Sequence, residues 1–376
     1  MKIAFLCSSL EPARDGVGDY TRSLAVACAA RGHACALLAL HDTHLTASQE
    51  RLADEIPALR LSPRLPLPAR IADARACLAD FSPDWISWQF SSYGYHPRGL
   101  ISAETRSLAT LAAGRRTHVM LHELWGGLSR DEPWFNRILG RFQRRGLVSL
   151  LHLLRTQRLH TSNVAYRSAL AAHQWSAELL PLWGNIPIAA ARPEVLAPFV
   201  PSGTRESWLI AVTFGNVPRE WRQDATIAFF QAAAAQLRRR PLLLVCGRAG
   251  PHGPAVVRQF SAGGKITVAA TGELPAEKIS RIFQAVDFGI APHPWGLIGK
   301  SGAVAALIDH GLPLLVPNDD RLTRIPSDLP LPPPGLLSRL SDLPPDAIPA
   351  WLARRLPAAS TLPRTADDFL ESLTRI

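Results

Sequence analysis

Residues 299–302, Gly-Lys-Ser-Gly, stand immediately before the apolar segment AVAALIDHG, which has helical character. A helix start directs free N–H groups and a partial positive charge outward. Lys300 adds a full charge, Ser301 can donate a hydrogen bond or cap the helix, and Gly299 and Gly302 let an anion approach the backbone. The group therefore suits phosphate. It is not a P-loop, because the place five residues before Gly299 is Pro294 rather than glycine. A second basic group lies in FGNVPREWRQD, where Arg219 and Arg222 follow Gly215 and Asn216. Two guanidinium forks can clamp a diphosphate; the alternative in an arginine-rich chain is surface ion pairing. Near the start, Gly16 and Gly18 precede a helical stretch, as at an anion or acceptor site. The spacing is only GxG, without the third glycine or the acidic residue of a dinucleotide fingerprint, and a simple tight turn would use the same residues. His122 and Glu123 end the apolar run THVMLHE. A histidine there can bond a sugar hydroxyl or support charge at a reacting carbon; its plainer role is a bond to a backbone carbonyl. His118, four residues earlier, reads as structural.

Such residues need elements to hold them. KIAFLCSSL reads as a buried parallel strand, DYTRSLAVACAARG as a helix stopped by Gly32, and ACALLAL as a second strand. A helix around residues 69–81, the strand DWISWQF, a helix at 103–113, the strand THVMLHE and a last strand in SAELLPLW continue the alternation. From Gly184 to Ser207 the chain is proline-rich and aperiodic, as a linker is. The pattern then restarts with SWLIAVTFG, ATIAFFQAAAAQLRR, PLLLVCG, KITVAATG, AEKISRIFQAV, DFGIAPH, GAVAALIDHG and PLLVP. Residues 326–363 read as loops, and TADDFLESLTRI as a final helix with Thr365 as N-cap. Alternating strands and helices predict an α/β protein of two Rossmann-like domains, with parallel sheets facing a central cleft. The expected domains are 1–190 on the acceptor side and 207–360 on the donor side, with helix 361–376 packing back on the first.

Length and composition agree: 376 residues, 47% of them hydrophobic, are enough for two cores and exclude global disorder. The net charge of +10 invites a nucleic-acid partner, but only four of 41 basic residues are lysines. That arginine excess looks like a coding bias, and no nucleic acid is expected. Five cysteines without CxxC spacing read as buried thiols of a reducing compartment. With no signal peptide and no long apolar run, the expected location is cytoplasmic, at most peripheral to the inner face of a membrane.

In order, these residues resemble glycosyltransferase family 4 and its GT-B relatives. GVGDYTRSLAVACAARGHACALLAL resembles the family's opening glycine loop, helix and entry to strand two. SPDWISWQF and VMLHELW resemble its next strands, and residues 271–317 resemble the stretch from the base-binding loop to the "A-x-x-x-G-hP-hh" segment. The resemblance implies a hexosyltransferase-like enzyme of carbohydrate biosynthesis that uses a nucleotide-diphosphate sugar, retains configuration and needs no metal or other cofactor. It implies that Gly16 and Gly18 lie by the diphosphate and acceptor, and His122 near the transferred sugar. Glu123 would line the substrate, Arg219 and Arg222 would form the basic pair, and Gly215 and Asn216 would lie beside it. Residues 271–274, with Gly272, Glu273 and Leu274, would pass near the base; Lys300, Ser301 and Gly302 would contact phosphate or ribose. Asp319 and Asp320 are not assigned to a metal. The family's Glu-x7-Glu is missing, its two places falling on Ile298 and Ala306. Asn216 stands where arginine is common, and Arg222 is displaced by one place from the family's lysine. The acceptor, whether glycan, lipid-linked or small molecule, is unidentified. Rival functions on the same fold are a non-catalytic scaffold or partner subunit, and a sugar-nucleotide epimerase or hydrolase.

Residues 134–145 predict a helix with Trp134, Phe135, Ile138, Leu139 and Phe142 along one side and Arg137, Arg141, Arg144 and Arg145 on another. Its apolar side is expected to face the core, the alternative being peripheral contact with an anionic membrane.

Overall fold

The computed structural model describes residues 1–12, 14–47, 49–52, 56–128, 132–218, 221, 223–318 and 335–375. They form two compact units, one of residues 1–162, 166–180 and 362–376, the other of residues 163–165 and 181–361.

The first unit runs β1 (Lys2–Cys7), α1 (Gly16–Ala29), β2 (Ala34–Ala39), β3 (Gln49–Leu52), β4 (Ala58–Leu61), α2 (Leu67–Phe81), β5 (Trp85–Phe90), α3 (Ala103–Ala109), β6 (Arg116–Leu121), α4 (Trp134–Leu153), β7 (Arg158–Thr161), α5 (Val164–Ala171) and β8 (Glu178–Leu179). Its sheet has the order β3-β4-β2-β1-β5-β6-β7-β8. Every pairing is parallel except β3 with β4. β5 is buried at all six positions, as a strand covered on both faces must be.

The second unit runs β9 (Trp208–Phe214), α6 (Gln223–Gln236), β10 (Arg240–Cys246), α7 (Gly253–Ser261), β11 (Thr267–Gly272), α8 (Ala276–Ala285), β12 (Phe288–Ile290), α9 (Gly302–Asp309), β13 (Leu314–Val316), β14 (Leu337–Arg339) and α10 (Ile348–Leu352). Its all-parallel sheet has the order β11-β10-β9-β12-β13-β14. One face, with Phe288 of β12, packs on Phe230, Phe260 and Trp351. The proline-rich stretch after β8 is tied to this unit: the Gly184 N–H donates to buried Asp309 at 3.0 Å, and the Ala189 N–H to Ser280 at 2.9 Å. Asp309 also accepts from the backbone and hydroxyl of Thr361.

The last helix, α11 (Leu362–Thr374), belongs to the first unit. Phe369 is fully buried, with its ring 5.8 Å from Phe5 and 5.0 Å from His118. The Arg158 Nε–H donates to the Ser372 carbonyl at 2.7 Å, and Arg31 pairs with Asp367. Thr365 is not the N-cap: the helix opens earlier, with Pro363 in its first turn, where a missing N–H costs nothing. Other departures are local. The strand expected in SAELLPLW shrinks to β8. Strands β3, β4 and β7 are too short to have stood out, and the helix foreseen at 103–113 ends in a 3₁₀ turn at Thr110–Ala112.

Removing a ring this enclosed loses its transfer energy and leaves a cavity. Phe369→Ala is expected to lower the unfolding free energy by about 3–5 kcal/mol in urea titrations; a loss below about 1 kcal/mol would show that α11 adds nothing to this core.

Candidate functional site

Two groups of residues meet the conditions for ligand chemistry, one in each unit. In the second unit the strand order is that of a doubly wound dinucleotide-binding sheet, 3-2-1-4-5-6, and direction reverses between β9 and β12. The crevice beyond the carboxyl ends at such a reversal is where ligands bind. The loop leaving β9 begins with Gly215 at φ +77°, a value that favours glycine. Its N–H donates to the Cys246 carbonyl at 3.1 Å, and a Cβ there would stand 3.3 Å from that of Ala303, in the first turn of α9. Asn216 lies against Gly250, where an added Cβ would come within 1.9 Å of the amide oxygen. Arg219 and Arg222 lie outside the described residues, as do Asp319 and Asp320. Trp221, between the two arginines, is buried and donates its indole N–H to Thr226 at 3.0 Å.

Across the reversal, α9 starts at Gly302. Ser301 caps it through a bond from the Val304 N–H, 3.3 Å long, so the helix start carries a neutral hydroxyl. Lys300 and Gly302 are exposed, and the space around the Gly302 Cβ position is open. The preceding loop holds His293, whose buried Nδ1 has no partner among the described residues. Burial, aided by the charge of Lys300, pulls its pKa down to about 4. Gly215, Lys300, Ser301 and Gly302 thus gather around one strand reversal. Gly272 (φ +63°), Glu273 and Leu274 lie two strands away from β9, beyond β10. Glu273 is engaged there by both guanidinium arms of Arg248, at 2.6 and 2.9 Å, and this pairing holds its carboxyl below the usual range. The places of the missing carboxylates are closed. Ile298 and Ala306 are buried, and Gly184 packs so tightly on Ala306 that an added Cβ would lie 2.6 Å from its Cα.

In the first unit the order reverses between β1 and β5. Gly18 is buried where α1 touches the preceding loop; a Cβ would meet the Ser9 carbonyl at 2.4 Å. Gly16 is exposed with nothing around it. Asp15, which carried no weight in the sequence, caps α1 by accepting from the Val17 and Gly18 N–H groups at 2.9 and 3.0 Å. A carboxylate therefore already occupies the helix start that Gly16 and Gly18 had offered to an anion.

His122 follows β6, its backbone N–H held by the Phe90 carbonyl and its ring edge-on to Tyr20 of α1, 4.8 Å between centroids. Glu123 beside it accepts from Ser91 at 3.1 Å. Burial forces the imidazole pKa down to about 3, so His122 is neutral at working pH. Its Nε2 lies 3.1 Å from the Gln89 amide oxygen, which can only accept; Nε2 therefore carries the proton and Nδ1 the lone pair. The Gln89 amide N–H donates to Ser87 at 2.8 Å, and the Ser87 hydroxyl shares a hydrogen bond of 2.8 Å with His118 Nδ1. His118 Nε2 is in turn hydrogen-bonded to His160 Nδ1 at 3.0 Å. Ser87, Gln89, His118 and His160 are buried, so this chain crosses three strands inside the sheet, and its Gln89 end sets the tautomer of His122. Sequence reasoning missed all but His118, taken as purely structural. The available signal was two polar residues at alternate places in the otherwise apolar WISWQF. Among the described residues, no cluster of His, Cys, Asp and Glu could hold a metal ion.

No protein-family model matches the chain, and a search of the curated proteins finds no relative. Solved structures do share its fold. Starch synthase IV from Arabidopsis thaliana, solved with ADP and acarbose, superposes with a TM-score of 0.60 at 12% identity, covering 100% of this chain and 99% of that one. HepE from Anabaena, solved with UDP and glucose, gives 0.57 at 14% identity over the whole of both chains. Sucrose-phosphate synthase from Thermosynechococcus elongatus gives 0.53 at 15%, covering 99% and 95%. At these identities the likeness establishes the fold: two α/β units with parallel sheets, the GT-B architecture.

Three histidines with depressed pKa make stability acid-sensitive. His122 and His160 are held neutral down to about 3 and about 4, and burial also depresses His118, whereas in the unfolded chain each titrates near 6.5. Between those values the unfolded state binds more protons, so stability is full above pH ~6.5 and falls as pH drops toward 4. Urea midpoints measured from pH 7 to pH 4 should fall steeply, by about 1.4 kcal/mol per pH unit for each such histidine; a flat profile would refute the neutral network.

Proposed function

We propose that the chain is a glycosyltransferase that takes a sugar from a nucleotide-diphosphate sugar and passes it to an acceptor hydroxyl. The observation that carries this is the strand reversal of the second unit. There, a glycine turn after β9 meets a helix start capped by a neutral hydroxyl and fronted by exposed Lys300. The start of α9 has N–H groups to offer an incoming anion, which the α1 start, filled by Asp15, does not. The diphosphate is assigned to Lys300, Ser301 and Gly302, with Arg219, Arg222, Gly215 and Asn216 on the β9 side. Gly272, Glu273 and Leu274 are assigned to the base. Structures of the same fold hold UDP with glucose, or ADP with acarbose, which supports a nucleotide-linked donor.

Cleaving the donor leaves negative charge on the departing diphosphate. Lys300 and the two arginines supply cations that stabilise it without a divalent metal, each worth a few kcal/mol where water is excluded. His122, with a pKa of about 3, is too weak a base to take a proton from a hydroxyl. Its Nδ1 instead accepts a hydrogen bond from a hydroxyl of the transferred sugar. Exposed Gly16, buried Gly18 and Glu123 are assigned to the acceptor side. A retained configuration rests only on the family resemblance.

The burial of Ile298 and Ala306 where the family has carboxylates favours a second reading, a subunit that binds nucleotide sugar without turning it over. Calorimetry together with nucleoside-diphosphate release separates the two: binding without release across acceptors would select the scaffold, and release without transfer a hydrolase. For the transferase, Lys300→Ala should lower turnover roughly a hundredfold, read as nucleoside-diphosphate release; an unchanged rate would remove Lys300 from the site.

A further inference from the structure

The amphipathic segment at 134–145 turns its apolar side outward, against the expectation of core packing. Trp134, Phe135, Ile138 and Phe142 are 69%, 55%, 45% and 58% exposed. At 3.6 residues per turn they fall within a sector of about 100° on α4. The helix buries the opposite side, through Gly140, Gln143 and Leu147. Four exposed large apolar side chains on two turns form a patch that a solitary surface has no reason to keep. Arg137, Arg141, Arg144 and Arg145 border it, and none has an acidic partner among the described residues. Arg144, Arg145, Val148, Ser149 and His152 on the next turns, with His173 after α5, line a cavity of about 520 Å³. The Arg144 guanidinium meets the His173 ring nitrogen there at 3.0 Å, so the cavity offers donors and no carboxylate.

We propose that α4 docks the protein on an anionic phospholipid bilayer. Trp134, Phe135, Ile138 and Phe142 enter the interface, Arg137 and Arg141 pair with lipid phosphates, and the cavity at Arg144 and Arg145 seats one phosphate headgroup. The arginines decide between this occupant and a second copy of the chain. Self-association through the patch would bring like charges together, whereas a plane of lipid phosphate neutralises them. No helix among the described residues is long and apolar enough to cross a membrane, so the attachment is peripheral.

The test is flotation of the full chain with vesicles of phosphatidylglycerol and phosphatidylcholine, against phosphatidylcholine alone. It needs no turnover, so its failure is distinct from failure of the transferase assignment. The protein should rise with the anionic vesicles and stay down with the neutral ones. The triple variant Trp134→Ser, Phe135→Ser, Phe142→Ser should stay down with both at an unchanged thermal midpoint. Arg144→Gln and Arg145→Gln should each weaken partitioning roughly fivefold. Absence of flotation with anionic vesicles, or undiminished flotation of the triple variant, would overturn the proposal. So would a dimer in ultracentrifugation that the triple substitution dissociates.

Discussion

Parallel strands covered on both faces leave a ligand only one place to go. Their side chains are committed to the two cores, so groups free to meet a substrate must come from the loops beyond the carboxyl ends. Within the second unit this constraint narrows further, because crossovers leave β9 toward one side and β12 toward the other, opening a gap in the cover between them. Gly215 and the residues around Lys300 owe their neighbourhood to that reversal. The chemistry assigned to this edge depends on the sheet holding its order.

The same constraint explains which features were legible in the sequence. Long apolar runs such as KIAFLC and PLLLVC announce central strands because both faces are buried, and the helices between them carry a clear period. Short strands carry no such signal: β7 has four residues, one of them His160, and β8 has two. The phosphate-suited group at 299–302 was visible because charge, hydroxyl and glycine coincide at a helix start. Glu273 could be placed in its loop, but its capture by Arg248, 25 residues earlier, could not be seen. The exposed side of α4 was misjudged for a related reason. Amphipathic spacing says that a helix has two faces, while tertiary packing decides which one turns inward. Here Gly140 and Gln143 face in and the aromatics out.

The histidine chain illustrates a second limit. Ser87 and Gln89 look like blemishes in an apolar strand, yet each buried polar atom is answered by the next, from His122 through to His160. Unanswered, such groups would cost about 1 kcal/mol or more each; answered, they fix rotamers across three strands. At its start the sense is fixed: His122 donates to the Gln89 amide oxygen, which leaves that ring one lone pair. A property of one nitrogen beside the candidate site is thereby set by residues deep inside the sheet.

The two capped helix starts also differ in what they already hold. Where α1 begins, Asp15 presents a carboxylate to the backbone; where α9 begins, Ser301 presents an uncharged oxygen. One terminus already faces a full negative charge and the other only the dipole of a hydroxyl, so the two helix starts would attract a negatively charged solute unequally. Exchanging the two capping residues would invert that preference while leaving every strand and helix where it is.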